Sequence, residues 1–353
     1  MFDDRDVQLF VGPNGSGKTN LIEAISILSL TKSCRGRGDQ DMVQWEQSYY
    51  RIRGDVRSDA GETHRMEAVT QLSPRKQKAF FINDVRTQPV AMIGRLPTVT
   101  FLPQDLLLFS GPPAERRRFI DQLLSQVSPD YFHDLLSYQK IIQQRNALLK
   151  RIAKGQEQPG ALDVWDNEVA SKGARITLAR LELIETFNLS FLQEMGSLGE
   201  TWQDVRLRYE RVTVSRTQAE AESELREALL QARVRDTVLQ STTVGPHRED
   251  WQAFQHERAI PTFASRGQER VAVLALLLLE VSYLELRRGE KPLILLDDAF
   301  SELDDNHQAA LLEACTGYQV IMTTTRIPPS TREDAAIHQV RNGSVEVVTS
   351  GNK

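Results

Sequence analysis

The sequence predicts an α/β fold: a parallel sheet carrying a phosphate-binding loop, elaborated by an antiparallel β layer and an inserted, mainly helical subdomain. Three observations lead to it. Gly12-Pro13-Asn14-Gly15-Ser16-Gly17-Lys18-Thr19 satisfies G-x-x-x-x-G-K-[ST] at every fixed position. It lies between Val7 to Val11, which reads as a short buried strand, and a stretch from Asn20 to Leu30 that sets Leu21, Ile22, Ile25 and Leu28 at the helical spacing of an amphipathic face. Leu293-Ile294-Leu295-Leu296 is continuously apolar and runs into Asp297-Asp298, the pattern of a strand covered on both faces. The long middle of the chain changes from strand-like alternation to helical periodicity.

The loop's chemistry follows from its residue types. Glycines permit backbone angles and close approaches that side chains forbid, so successive N–H groups and the following helix N-terminus can wrap a phosphate. Lys18 is expected to reach the β- and γ-phosphates of a nucleotide, and the Thr19 hydroxyl to ligate Mg²⁺. In proteins with such a loop, a nucleotide-bound Mg²⁺ sits at the carboxyl end of an apolar parallel strand. Asp297 is therefore expected to hold the metal, and Asp298 to orient or deprotonate an attacking water. ATP and Mg²⁺ are the expected cofactors.

Composition sets the outer bounds. The chain has 353 residues, 40% apolar and 26% charged, enough for two domains or one elaborated domain of ordinary globular character. Cys34 and Cys315 form no metal-ligand spacing or disulfide framework, which suits a reducing cytosol. The longest apolar run, Val271 to Leu279, is too short to span a bilayer, and the acidic start lacks the basic region of a signal peptide. A cytoplasmic protein without a membrane partner is expected. The net charge is −5, so nucleic-acid binding would rest on local basic patches rather than the overall field.

In chain order, Tyr49 to Val56, Thr63 to Leu72 and Lys78 to Ile82 read as strands of an antiparallel layer, with turns at Asp59-Ala60-Gly61 and Asn83-Asp84. A further strand at Val99 to Leu102 ends at Pro103-Gln104-Asp105. Ala114 to Ala153 and Leu162 to Leu198 are helical, separated by the polar break Gly155 to Gly160. Val205 to Val214 reads as a strand and Thr217 to Arg235 as a charged helix. The domain reading is an ATPase-head half over 1–111, a helical insertion over 112–239, and a second head half over 240–353.

Three further elements narrow the class. Ser265-Arg266-Gly267-Gln268 opens the apolar helix from Arg270 and resembles the signature motif of ABC-type ATPases. Ser301-Glu302-Leu303-Asp304 resembles their D-loop, and Val320 to Thr325 is a strand ending in hydroxyls where many of them carry a switch histidine. Gly12 and Asp297 lie 285 residues apart, farther than in transporter ATPases, while the intervening helical segment is far too short for the coiled-coil arms of SMC proteins. Phe101-Leu102-Pro103-Gln104-Asp105-Leu106, Gly111-Pro112, Arg116-Arg117-Arg118-Phe119-Ile120-Asp121 and Thr243-Val244-Gly245-Pro246-His247-Arg248-Glu249-Asp250 resemble the RecF family pattern, over about residues 7 to 345. Arg266 departs from the usual signature. The family pattern also has further residues ahead of the loop, forming first strands and part of the adenine pocket.

The resemblance implies an ABC-type, SMC/RecF-like P-loop ATPase head that closes as an ATP-sandwiched homodimer on DNA. It implies weak, DNA-stimulated ATP hydrolysis coupled to dimer opening. The family acts with RecR and RecO at gaps and at junctions of single-stranded and double-stranded DNA, promoting RecA loading in repair, replication restart and SOS induction. By the same resemblance Gln104 is the Q-loop residue near Mg²⁺, Ser265, Gly267 and Gln268 form the signature, Asp297 and Asp298 are the Walker B acids, and Asp304 is the D-loop acid. Candidate DNA contacts are Lys32, Arg35 and Arg37; Arg75, Lys76 and Lys78; and Arg116 to Arg118. Few aromatics interleave with them, so contact with the backbone without base stacking is expected. An ABC transporter ATPase subunit, another SMC-like DNA-clamp ATPase and a P-loop small-molecule kinase are the alternatives. The transporter reading lacks the fuller LSGGQ signature and the switch histidine, and the kinase reading leaves the Ser265 to Gln268 motif without a purpose.

Overall fold

Strand β1 (Val7–Val11) is buried along its whole length, its one polar residue, Gln8, being satisfied by His338 Nε2 at 2.7 Å. The chain then turns through the glycine-rich loop into α1 (Lys18–Leu30), which begins two residues before the expected start, so Lys18 and Thr19 form its first turn. The computed structural model describes residues 6–36, 38–328, 331 and 335–347, the side chains of 301 and 302 excepted. Helix α1 buries more than the one apolar face its spacing indicated. Ile22 and Ile25 pack with Phe10, Leu295 and Ile321 on one side, while Ile27 and Leu28 pack with Met66, Ala68, Phe80 and Met92 on the other. Because sheets cover both faces, Ser26 and Ser29 are also buried, and their hydroxyls donate to the carbonyls of Lys32 and Leu96.

The second of those sheets is the antiparallel layer. It has the order β2 (Tyr49–Arg57), β3 (Thr63–Gln71), β4 (Gln77–Ile82), β5 (Val85–Thr87). The short β5 was not expected from sequence; Asn83 and Asp84, both at positive φ, make the two-residue turn that leads into it. A short helix α2 (Pro89–Met92) and strand β6 (Thr98–Phe101) follow.

The expected helix over 114–153 is two helices, α3 (Pro113–Val127) and α4 (Pro129–Ala153). Pro129 offers no N–H to continue α3, and Ser128 caps α4 by accepting the Tyr131 N–H at 3.1 Å. Likewise the span expected over 162–198 is α5 (Leu162–Asn188) and α6 (Phe191–Ser197). Strand β7 (Val205–Glu210), helix α7 (Gln218–Leu239), and strands β8 (Asp250–Gln255) and β9 (Arg258–Ala259) follow, with β7-β8-β9 forming an antiparallel sheet. Buried charges are paired within this region. Arg145 is completely buried between Asp166 and Asp236, each at 2.7 Å.

The last part comprises α8 (Arg266–Arg288), β10 (Leu293–Asp297), α9 (Asp305–Ala314), β11 (Val320–Thr324), β12 (Ala336–Arg341) and β13 (Ser344–Val347). The main sheet has the order β13-β12-β1-β11-β10-β6, parallel except for β13. The apolar run Val271 to Leu279 is buried within α8, and among the described residues no helix is long and apolar enough to cross a membrane.

Packing divides the chain into two compact units at places other than the expected 112 and 240. One holds the chain up to Leu107, Gln193–Thr201 and the chain from Ser265; the other holds Leu108–Leu192 and Trp202–Ala264. Residues 240–264 belong with the helices because β8 hydrogen-bonds to β7 and Asp250 pairs with Arg116.

Candidate functional site

Parallel register brings the functional segments to one edge of the main sheet. Val11 is level with Thr324, Thr323 with Asp297, and Leu296 with Phe101, so the chain leaves four neighbouring strands at the same carboxyl end. This is where ligands bind in parallel α/β sheets.

Gly12 to Thr19 leave β1 here. Gly15 and Gly17 have φ of 78° and 102°, the left-handed region that side chains disfavour, and Gly17 is the N-cap of α1. Gly12 is needed for another reason: a Cβ there would lie 2.3 Å from the Val340 carbonyl oxygen of β12. Lys18 is largely buried, and its ammonium donates to the carbonyls of Gly12 at 2.7 Å and Pro13 at 3.1 Å. The lysine is thus folded over its own loop.

The two acids stand at the end of β10. The Thr19 hydroxyl donates to Asp297 Oδ1 at 3.1 Å, and the Thr323 hydroxyl donates to the same oxygen at 2.6 Å. Asp298 has φ 47°, and its N–H donates to the carbonyl of Thr323 at 3.0 Å and to its hydroxyl at 3.1 Å. Thr323 is a positioning residue that motif reasoning missed. The run Thr323-Thr324-Thr325 was a visible signal, but only the register shows which hydroxyl meets the acid.

Gln104 is exposed on the turn Pro103–Leu107 directly after β6, and Asp105 accepts the Leu102 N–H at 2.7 Å. Ser265, Arg266 and Gly267 are exposed at the start of α8. Ser265 and Gln268 form a capping box: the Gln268 N–H donates to Ser265 Oγ at 3.2 Å, and the Ser265 N–H to Gln268 Oε1 at 3.0 Å. Asp304 caps α9 by accepting the His307 N–H at 3.0 Å, and this bond holds its carboxyl below the usual range. These residues therefore shape helix ends in a single chain, whatever else they meet.

The basic candidates fare differently. Arg116 is buried, bound to Asp250 at 2.7 Å and to the carbonyls of Leu108, Phe109 and Gly111. Arg117 donates to the Glu249 carbonyl, and Arg118 pairs with Glu115. The Arg116 to Arg118 run is thus a structural cluster rather than a free basic face. Lys76 and Lys78 both pair with Asp39, at 3.3 and 2.6 Å. Arg35 and Arg75 are exposed, and Arg37 lies outside the described residues.

The residues at the loop fit a magnesium-bound nucleotide phosphate chain. The Ser16 hydroxyl is buried with no hydrogen-bond partner, beside glycines that leave the backbone open. Thr19 and Asp297 supply the hard oxygen donors Mg²⁺ prefers.

The chain matches the family described as RecF/RecN/SMC N terminal domain over residues 2–344. It is 37% identical to the DNA replication and repair protein RecF of Geobacillus thermodenitrificans, across 97% of this chain and 93% of that one. The RecF of Bacillus subtilis is 33% identical across 97% and 94%. A solved recombination mediator protein RecF, in complex with ATP and assigned to the RecFOR pathway, superposes with a TM-score of 0.91 at 30% identity, covering 99% of this chain and 93% of that chain. An SMC head matches at a TM-score of 0.51 and 15% identity, a likeness of fold alone. An ABC-type head fold, carrying its phosphate loop and paired acids at one sheet edge and aligned with RecF proteins along nearly its whole length, makes this chain a member of the RecF family.

Proposed function

We propose that the protein is an ATP-dependent, DNA-binding recombination mediator in DNA replication and repair. It binds Mg²⁺-ATP at Gly12 to Thr19, dimerises with the nucleotide between subunits, and acts with RecR and RecO at gapped or junction DNA to promote RecA loading. The observation that carries this reading is the cluster of Thr19 and Thr323 on one oxygen of Asp297, beside a loop whose Ser16 hydroxyl is buried and unsatisfied. Bound Mg²⁺ would stabilise charge on the terminal phosphates. Lys18 would exchange two backbone carbonyls for phosphate oxygens, replacing neutral acceptors by charged ones. In this reading Asp298 would orient the attacking water, and Gln104, by resemblance to the family's Q-loop, would lie near the metal.

The dimer reading rests on Ser265 and Gly267. They are exposed at the N-terminus of a long helix, where unpaired N–H groups favour an anion, while Gly12 to Thr19 already make one complete phosphate cradle. A second anion site on the same chain is explained if it meets the γ-phosphate held by another copy. Among the described residues, the exposed Lys32, Arg35 and Arg75 remain candidate contacts to DNA phosphates. Light scattering after gel filtration, with ATP and with or without gapped DNA, tests the proposal. The expected result is an ATP-dependent dimer that DNA favours and Lys18→Met abolishes. A monomer under every condition would overturn the sandwich reading, and unchanged ATP affinity in folded Lys18→Met would overturn the site.

A further inference from the structure

The hairpin of β12 and β13 reaches back to the phosphate loop from more than three hundred residues along the chain. Arg341 pairs with Ser344, leaving Asn342-Gly343 as a two-residue turn. Their φ values of 49° and 77° identify the turn as type I′, the connection that asparagine followed by glycine favours. The Gly343 N–H donates to the Ser16 carbonyl at 2.9 Å. Three residues earlier, the Val340 carbonyl occupies the space a side chain at Gly12 would need, and Gly343 Cα lies 3.4 Å from where a Cβ on Gly17 would be. Three positions of the loop are thus set against one hairpin.

The orientation of a single peptide unit gives this contact its consequence. In a planar trans peptide the C=O and the following N–H point in opposite directions. With the Ser16 carbonyl held on Gly343, the Gly17 N–H is turned to the side of the loop away from the hairpin. Left without that anchor, the Ser16–Gly17 peptide can rotate, because the glycine on its carboxyl side, at positive φ, crosses between backbone wells at low cost. We propose that the Asn342-Gly343 turn is a positioning element of the phosphate site, holding the Gly17 amide in the orientation that receives a nucleotide phosphate. The hairpin touches no part of the nucleotide in this role. It lowers the ordering cost of binding by fixing an N–H beforehand.

The inference rests on the nucleotide reading of the loop, and the test separates the two. Gly343→Val puts a β-branched side chain at φ 77°, which displaces the turn; Gly61→Val, at φ 85° in the turn between β2 and β3, imposes similar strain away from the loop. Hydrogen exchange of the nucleotide-free protein is the first measurement, and calorimetric titration with ADP and Mg²⁺ the second. Gly343→Val is expected to speed exchange across residues 15–20 and to weaken ADP binding about tenfold, the loss of one well-placed hydrogen bond to a charged group. Gly61→Val should do neither. If Gly343→Val fails to fold, Gly343→Ala, for which there is open space, is expected to show the same changes at smaller size. Wild-type exchange in a folded Gly343 variant overturns the inference whether or not the protein binds nucleotide. Equal effects from Gly61→Val overturn it too. A wild-type protein that binds no ADP overturns the nucleotide reading, and leaves the exchange measurement to decide the hairpin's role in ordering the loop.

Discussion

Thr323 donates its hydroxyl to Asp297 Oδ1 across 2.6 Å, and the same hydroxyl accepts the Asp298 N–H at 3.1 Å. One side chain on β11 therefore sets the direction of the first acid and the backbone entry to the second. Thr323→Val keeps the shape and removes the hydroxyl. It is expected to cost about 1–3 kcal/mol of stability, since Asp297 loses a buried donor. It should also slow ATP hydrolysis about tenfold or more, as the acids lose alignment. Thr323→Ser should restore most of both. Urea unfolding and a phosphate-release assay check the pair, and an inert Thr323→Val would remove the positioning role.

Asp298 has φ 47°, a conformation that asparagine adopts as readily as aspartate. Asp298→Asn should therefore fold normally and bind ATP with near wild-type affinity. It should lose hydrolysis and accumulate the ATP-bound dimer. Single-turnover hydrolysis measured beside dimer mass gives the answer, and turnover at the wild-type rate would assign water orientation to another residue.

Ser265 has a cap to keep as well as an interface to make. Ser265→Arg removes the hydroxyl that accepts the Gln268 N–H and should cost about 1 kcal/mol through the cap alone. Ser265→Asp keeps a capping oxygen, since aspartate caps as well as serine, yet sets a carboxylate where the partner's γ-phosphate is proposed to sit. The aspartate variant should thus retain the wild-type melting temperature and monomer ATP affinity but fail to dimerise. Mixing Ser265→Arg with Lys18→Met protein should return part of the ATP-dependent association, because one of the two shared sites is then intact. A Ser265→Asp protein that dimerises normally would count against nucleotide shared between subunits.

His247 supplies a pH dependence. It lies between α4 and the loop ahead of β8, with Nδ1 2.7 Å from the Tyr138 hydroxyl and Nε2 donating to the Thr242 carbonyl at 3.0 Å. Burial pushes its pKa down from 6.5 to about 4, with Arg248, Arg117 and Arg180 adding repulsion. The folded protein thus keeps the ring neutral where the unfolded chain takes a proton. The contribution is fully present above pH 6.5 and is lost as pH falls from there to about 4, up to about 3 kcal/mol. Urea unfolding at pH 8 and pH 5 should show the loss, and His247→Gln should flatten it. An unchanged slope in His247→Gln would assign the dependence to other groups.

Much of the site can be read in the sequence because its chemistry is local. Gly12 to Thr19 carry their own strand, turn and helix start, and Leu293 to Asp298 carry an apolar strand and its acids. The two ends of a shared cradle are thus visible without knowing how they meet. What failed had one local cause and one that is not local. Ser128-Pro129 divides a stretch whose periodicity continues across it, and β8, β9, β12 and β13 were missed because short strands gain their stability from neighbours rather than from propensity.

The basic run Arg116-Arg117-Arg118 shows the limit most plainly. As sequence it is a candidate DNA contact or a solvated charged face; in the fold Arg116 meets Asp250, whose place beside it depends on how β8 packs. A charge's role is decided by the partner that comes within a few ångströms, and 134 residues separate these two. By itself, then, the sequence determined the phosphate loop, the two acids and the α/β class, each written within one strand-turn-helix unit. Only the tertiary structure decided that α1 lies between two sheets, that Thr323 reaches Asp297, and that the Asn342-Gly343 turn holds the loop. Those depend on strand order and register, which are set by the packing of the whole sheet.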